Sequence, residues 1–386
     1  MKLQKSIRLF GLYKFLFAVD FYLPIKVVYF YNLTHSYSTA ASIVSFTLLF
    51  AALMEIPTGI FSDIVGRKRT IILGSFCSVV AYAMYALGND YWILVFGAFL
   101  DGTSRSFFSG NNDAYLHNLL SDENKESEFH HYYGKLNSIL TVGSVIGSLL
   151  SGVIASWSIG LFMWINLIPR IIGLMVSLFL KEIKREEHSD TNIFSHLFEA
   201  LRDVKRNINL RYLSLATIFG GAGLSAYEFQ AAVFSAVWPT WAIGLARAVQ
   251  EVGGIPGYYF AGKVIEKLGF IKVVSLSMIS GVLGNILAGL SKSIFSPIFI
   301  MISLPLYGPA DTADQHLIQK EFSEKQRATT ASLNSLGSSI YFALVLYICG
   351  LIANQHGPFI ALISTQLFVI PSLYFKSKFL YRMAHP

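Results

Sequence analysis

The chain has 386 residues, 54% of them hydrophobic and only 14% charged, with a formal net charge of +7. A soluble protein carries nearer a quarter charged residues, so this composition and a mean hydropathy of +0.53 exclude an ordinary water-soluble domain. Apolar runs of roughly 18 to 25 residues recur along the whole sequence, the length a helix needs to cross a bilayer. They are continuous rather than alternating, and open sheets cannot span lipid, so the fold class is all-α integral membrane.

Twelve spans are expected, at 7–30, 40–62, 70–88, 91–119, 132–156, 158–180, 210–235, 238–265, 271–290, 294–319, 327–353 and 357–379. The first lacks a small-residue cleavage site and is expected to stay as a helix. The loops between spans are mostly short and leave no room for a soluble catalytic domain. The basic residues explain the pI without a nucleic-acid partner. Lys2, Lys5, Arg8, Arg67, Lys68, Arg69, Lys181, Lys184, Arg185, Lys263, Lys267, Lys272, Lys376, Lys378 and Arg382 fall on one side of the twelve-span arrangement, with Lys292 nearly alone on the other. That asymmetry predicts a multi-pass protein of the cell membrane with both termini in the cytoplasm, its basic residues facing anionic lipid. Cys77 and Cys349 lie inside spans and read as small apolar core residues.

Ionisable groups inside spans are costly, and so are the first candidates for function. Span 1 carries Asp20 thirteen residues from its start, near the midplane by rise per residue, with Tyr22 beside it. A buried carboxylate of this kind is a proton-coupling candidate. Between spans 2 and 3 runs Gly59-Ile-Phe-Ser-Asp63-Ile-Val-Gly66-Arg67-Lys68-Arg69, with Glu55 one turn earlier. Gly59 is expected to let a neighbouring helix approach closely and Gly66 to permit a sharp turn. Asp63 is placed to accept hydrogen bonds from a helix N-terminus or an Arg.

Span 4 carries Asp101 and Arg105 as an i,i+4 pair, with Phe108 and Asn112 expected on the same face and Asp113 nearby around the helix. Span 5 carries a small-residue face of Gly134, Gly143, Gly147, Ser148, Ser151 and Gly152, suited to tight packing on a partner in the other half. Span 6 contributes Arg170.

Residues 181–209 are polar and charged. Phe194, Leu197, Phe198, Leu201 and Ile208 share one helical face, and Arg202, Lys205 and Arg206 lie away from it. This predicts a tether with an amphipathic helix in the membrane interface. Beyond it, span 7 places Glu228 much as span 1 places Asp20. Span 8 pairs Arg247 with Glu251 and adds Tyr258, and span 10 carries Asp311, Asp314 and His316. His117 and His316, near span ends, are of the type that titrates near neutrality. Phe107, Phe108, Tyr227 and Tyr258 are candidate pocket aromatics. No metal-ligand spacing, phosphate loop or Ser-His-Asp arrangement survives its context, so neither an enzyme nor a cofactor is expected.

The second half echoes the first. Gly262-x-x-x-Glu266-x-x-Gly269 reproduces Gly59-x-x-x-Asp63-x-x-Gly66, with Phe270 where Arg67 would stand. Ala226-x-Glu228-Phe229 echoes Ala18-x-Asp20-Phe21, and Leu333-Asn334-Ser335 echoes Leu136-Asn137-Ser138. The domain organisation read from these echoes is a six-helix bundle over 1–180, a linker over 181–209 and a second, pseudo-symmetric six-helix bundle over 210–386.

The run from Gly59 to Arg69 resembles the signature loop of the major facilitator superfamily, G-x-x-x-D-x-x-G-R-[KR]-[KR], with Gly59, Asp63, Gly66, Arg67, Lys68 and Arg69 all matching. The resemblance implies the major facilitator fold, twelve helices in two bundles with a substrate site between them near the midplane. It also implies a cytoplasmic gate network of Glu55, Asp63 and Arg67. Arg105 resembles the Arg of the family's R-x-x-x-G on helix 4, although Gly110 stands one residue too far along. Gly134, Gly143, Gly147 and Gly152 resemble the antiporter signature of drug exporters, with Ser148 replacing its Pro and Ser151 a Gly.

The function expected is therefore secondary active transport of a small molecule by alternating access, in the form of proton-coupled efflux of amphipathic compounds. Proton-coupled uptake of a polar solute such as a sugar or organic ion is the first alternative, and an uncoupled receptor or lipid scramblase the second. Proton-coupling candidates are Asp20, Glu228, Asp113, Asp311 and Asp314. Substrate-cavity candidates are Tyr22, Asp101, Arg105, Phe108, Asn112, Arg170, Arg247, Glu251 and Tyr258. The partners expected are a small-molecule substrate, protons and membrane lipids, with no nucleic acid and a monomeric chain.

Overall fold

The structure, a computed structural model, describes residues 3–88, 90–183, 202, 204–322 and 324–384. Every regular element among them is helical. In chain order these are α1 (Leu3–Ala18), a 3-10 turn at Leu23–Ile25, α2 (Lys26–Thr34), α3 (Tyr37–Val65), α4 (Arg67–Leu87), α5 (Tyr91–Phe108) and α6 (Asn111–Ser121). Then follow α7 (Phe129–Trp157), α8 (Ile159–Leu178), α9 (Ile208–Val237), α10 (Thr240–Leu268), α11 (Phe270–Ser291), α12 (Ser296–Met301), α13 (Leu304–Glu321) and α14 (Glu324–Ala384). Helix α14 is two helices joined across Gly357, whose φ of 81° and ψ of 170° are not helical. Among the described residues, six helices are long and apolar enough to cross a membrane by length and composition: α3, α4, α7, α8, α11 and the later part of α14.

Three expected spans are broken. The first stops at Ala18 and resumes through the turn at Leu23–Ile25, because Pro24 has no N–H to donate to the turn before it and stands at the start of the next helical segment. The fourth breaks between Phe108 and Asn111, where Gly110 takes φ +67°. The tenth breaks between Met301 and Leu304, just ahead of Pro305. Two other helix starts, those of α5 and α9, are held by side-chain caps that satisfy free helix N–H groups. Asp90 Oδ1 accepts from the Trp92 and Ile93 amides at 2.8 and 3.3 Å, opening α5. Asn207 Oδ1 accepts from the Asn209 and Leu210 amides at 2.9 and 3.1 Å, opening α9.

Two units divide the chain, residues 1–33 with 46–191, and residues 34–45 with 192–386. In the first, Phe10 and Tyr13 of α1, Ile71 of α4, Leu116 and Leu120 of α6 and Leu136 of α7 form a continuous buried core. In the second, Leu210 and Leu213 of α9, Val273 and Val274 of α11, Ala313 and Leu317 of α13 and Phe379 of α14 do the same. The second unit takes in the start of α3. Asn354 Oδ1 accepts from the Tyr37 amide at 2.6 Å, and Asn354 Nδ2 donates to the Ser38 hydroxyl at 2.8 Å. The amphipathic helix expected over Phe194, Leu197, Phe198 and Leu201 lies outside the described residues.

The echo between halves is visible in the backbone. Gly66 has φ 98°, ψ 153° and Gly269 has φ 81°, ψ 153°, each standing directly before the next helix. A side chain is strained at such angles, which accounts for glycine at both positions.

Candidate functional site

The break in the first span places Asp20 on irregular backbone inside the first unit, and almost every polar group around it is directed at its carboxylate. Oδ2 accepts from the Tyr82 hydroxyl at 2.6 Å and from the Arg170 guanidinium, with which it forms an ion pair. Oδ1 accepts from Asn166 Nδ2 at 3.1 Å and from the Tyr22 amide at 2.9 Å, the latter opening the second half-helix. Asn166 Oδ1 in turn accepts from the Phe21 amide at 3.0 Å. Arg170 also donates to the Phe17 carbonyl at 2.9 Å and to Tyr82 at 3.1 Å, and its guanidinium stacks over the Phe17 and Tyr82 rings. Asp20 is 3% exposed and Arg170 5%, so this is a desolvated ion pair with its hydrogen bonds met on the carboxylate side. The Nε of Arg170 is buried without a partner among the described residues.

Asn166 and Arg170 lie one turn apart on α8, so a single helix face delivers both. Helix α7 closes the other side. A Cβ at Gly147 would lie 2.7 Å from the Asp20 amide and carbonyl, and one at Gly143 would lie 2.8 Å from Ala18 Cβ. The small-residue face of α7 therefore seats the broken backbone of α1 in its own unit, which corrects the expectation of a partner in the other half. Ser148, Ser151 and Gly152 are buried along the same helix, whereas a Cβ at Gly134 would meet nothing within 4 Å among the described residues. Tyr22 is 1% exposed and packs among Tyr29, Phe30, Tyr82 and Tyr85 with ring centroids 5.4 to 6.4 Å away.

A second charged pair stands on α5. Arg105 Nε and Nη2 reach the two Asp101 oxygens at 3.1 and 3.4 Å, a two-pronged contact that buries Asp101 and leaves Arg105 partly exposed. Phe108 packs edge-on against Phe17 and Tyr13 and fills the space beside Gly74. The helix break separates it from Asn112 and Asp113, which start α6, so the single face expected through span 4 ends at Phe108. Asp113 is half-exposed and lies 3.8 Å from Lys14.

The signature loop makes its described side-chain contacts inside its own unit. Arg67 lies 2.9 Å from Asp63 and donates to Ser62 Oγ at 2.8 Å. Ser62 donates to Asn111 Oδ1 at 2.7 Å, and Asn111 Nδ2 returns to the Arg67 carbonyl at 3.2 Å. The turn of α3 into α4 is thereby tied to the start of α6. Lys68 is 4.0 Å from Glu182. A Cβ at Gly59 would meet nothing within 4 Å, so the close helix approach expected there is absent among the described residues. Glu55 is half-buried on the preceding turn.

In the second unit Arg247 is 1% exposed. It reaches Gln250 Oε1 at 2.9 Å, Gln230 Oε1 at 3.4 Å and the Tyr227 carbonyl at 2.6 Å, and stacks on the Tyr227 ring at 3.8 Å. Gln230 continues to Asn285 at 3.0 Å. Glu228 is buried on α9, and Glu251 follows Arg247 by one turn on α10. Tyr258 donates to Asp311 at 3.0 Å. Asp311 and Asp314 line a cavity of about 300 Å³ with Thr217, Ser277, Ser372 and Lys376. Lys376 forms an ion pair with Asp314 and is 8% exposed. Assigned on sequence to the basic surface, it is instead buried inside the unit. His316 stacks on Phe270 at 4.4 Å, and His117 lies 5.8 Å from Phe129.

Sequence reasoning missed Tyr82, Asn166 and Gln230 as site residues. The signal available for Asn166 was its i,i+4 spacing with Arg170 on an otherwise apolar helix.

The sequence profile of the Major Facilitator Superfamily matches residues 10–363. The chain belongs to that superfamily. It is 24% identical over 294 residues to multidrug resistance protein 2 of Bacillus subtilis (strain 168), covering 73% of this chain and 72% of the relative. It is 24% identical over 302 residues to the class H tetracycline resistance protein of Pasteurella multocida, covering 72% and 71%. Its fold matches the crystal structure of the nucleoside transporter NupG with a TM-score of 0.80 at 12% identity, over 98% of this chain and 99% of that one. The chain is thus a membrane transporter of the twelve-helix major facilitator fold and not an enzyme.

Proposed function

We propose that this major facilitator transporter exports small amphipathic compounds in exchange for protons, with Asp20 as the proton-coupling acid. The observation that carries the reading is the Asp20–Arg170 pair. A desolvated carboxylate held by one guanidinium, a phenol and an amide has two distinct bonding states. Ionised, it retains Arg170. Protonated, it gives up the ion pair and leaves Arg170 with the Phe17 carbonyl and the faces of Phe17 and Tyr82. Because α7 packs on the Asp20 backbone through Gly147, a change in that bonding reaches α7 through direct contact. Such a coupled, two-state element is what alternating access requires. The export direction is supported by the likeness to a multidrug and a tetracycline resistance protein and by the glycine spacing of α7.

The experiment uses purified protein in liposomes with an enclosed pH dye, challenged with a panel of cationic, neutral and anionic amphiphiles, sugars and nucleosides. Export coupled to protons predicts that an amphiphile moving one way drives protons the other. Protons and a sugar or nucleoside moving together would replace this reading with proton-coupled uptake, the alternative that the nucleoside-transporter fold and the polar lining around Asp311 favour.

A further inference from the structure

Arg67, Lys68 and Arg69 occupy the first three positions of α4. Cations there oppose the partial positive charge of a helix N-terminus, the reverse of the usual preference for acids. Two of the three are compensated, Arg67 by Asp63 at 2.9 Å and Lys68 by Glu182 at 4.0 Å. Arg69 is exposed and has no ion-pair or hydrogen-bond partner among the described residues. Among the described residues, the start of α4 therefore carries one cation and the positive end of the helix dipole in excess of its acids.

Beside Arg69 a groove of about 500 Å³ opens between α3, α4 and α8, walled by Phe61, Val65, Ile72, Phe76, Leu174 and Leu178. Arg69 is the one charged residue in its wall among the described residues. Phe76 stands seven residues beyond Arg69, so at the helical rise the apolar wall runs about 10 Å away from the charged mouth. One end calls for an anion and the remaining length for hydrocarbon.

We propose that this groove binds an anionic phospholipid, its phosphate on Arg69 at the start of α4 and one acyl chain along Ile72, Phe76 and Leu174. Basic sites at the ends of membrane helices select such head groups, and the groove adds a seat for the chain. The inference rests on the membrane fold alone and is independent of the transport reading, so it is tested by binding.

Purified full-length protein in detergent is offered equal amounts of dioleoylphosphatidylglycerol and dioleoylphosphatidylcholine, and retained lipid is counted by native mass spectrometry. Wild type should prefer phosphatidylglycerol by about fivefold, the effect of one interfacial cation. Arg69→Gln should bring the ratio close to one while Arg69→Lys keeps most of it, and Leu174→Trp, which fills the groove, should lower retention of both lipids. Millimolar inorganic phosphate should not displace the phospholipid, because it lacks the chain. An unchanged ratio in Arg69→Gln overturns the proposal. So does an equal fall in the surface variant Lys135→Gln on α7, outside the groove wall, which would mean unspecific charge attraction, or full displacement by phosphate, which would mean a head-group site without the groove.

Discussion

Replacing Asp20 by Asn removes the charge at the centre of the first unit and little else. The amide Oδ1 can still accept from the Tyr22 N–H, so the cap of the second half-helix survives. Arg170 loses its counter-ion while remaining 5% exposed. Breaking a buried pair from one side costs about 3–5 kcal/mol, because it strands the remaining charge. Here the Phe17 carbonyl, the Tyr82 hydroxyl and two aromatic faces retain part of the guanidinium's stabilisation, so about 3 kcal/mol, the low end of that range, is expected. Arg170→Gln should cost a similar amount, and the double variant clearly less than the sum, with a coupling of about 2–3 kcal/mol within the range for contacting residues. Unfolding of the purified variants in rising SDS, followed by tryptophan fluorescence, measures all three. In liposomes Asp20→Asn should lose accumulation driven by a pH gradient yet keep substrate exchange at equal pH, since a neutral side chain imitates the protonated acid. Additive stability losses would refute the ion-pair assignment, and gradient-driven accumulation in Asp20→Asn would refute the coupling role.

Asp63→Asn breaks the contact with Arg67, but Asp63 is half-exposed, so the cost should be about 0.2–1 kcal/mol rather than that of a buried pair; labelling of single cysteines placed in the loop between α3 and α4 should rise by no more than about fivefold. Gly147→Ala drives a methyl to 2.7 Å from the Asp20 backbone and should sharply reduce folded protein, whereas Gly134→Ala meets nothing within 4 Å and should be neutral or stabilising by up to about 1 kcal/mol; equal yields of both variants in detergent would contradict the packing. Lys376→Met strands Asp314 in the cavity of the second unit and should destabilise the protein, with Asp314→Asn on the same background restoring most of the loss in the SDS titration. The basic asymmetry predicts that reporter fusions after residue 195 and at Pro386 both read cytoplasmic; an external signal at either would overturn the orientation.

The positions of the helices were largely legible, because crossing lipid demands apolar runs of a set length and that demand is written into composition. The loop turn was legible for a different reason. Gly66 and Gly269 must adopt backbone angles that other residues avoid, so the requirement shows as glycine at matched spacing. The three helix breaks were less visible. Pro24 and Pro305 do mark two of them, but proline occurs inside intact helices here as well, at Pro57 in α3 and Pro169 in α8. Whether a proline breaks a helix depends on what receives the freed backbone groups, and that is a tertiary property. At Pro24 the receivers are the carboxylate of Asp20 and the amide of Asn166, the latter 145 residues from Phe21.

The same distance explains why Asp20 was legible as a buried acid while its partners were not. Arg170 and Tyr82 are separated from it by 150 and 62 residues, and nothing local in either helix points at span 1. The consequence is that Asp20 does two jobs that a sequence would count as one. Its Oδ1 holds the Tyr22 amide at the break, and its Oδ2 holds Arg170 and Tyr82. Asn preserves the first job and removes the charge from the second, whereas Ala removes both. If the backbone role dominates, Ala should unfold the first unit and Asn should remain folded and close to wild type. If the charge dominates, the two should fail alike in gradient-driven transport, with Asn the better expressed. The comparison of the two substitutions thus separates a structural acid from a coupling acid at the position where the fold makes both readings available.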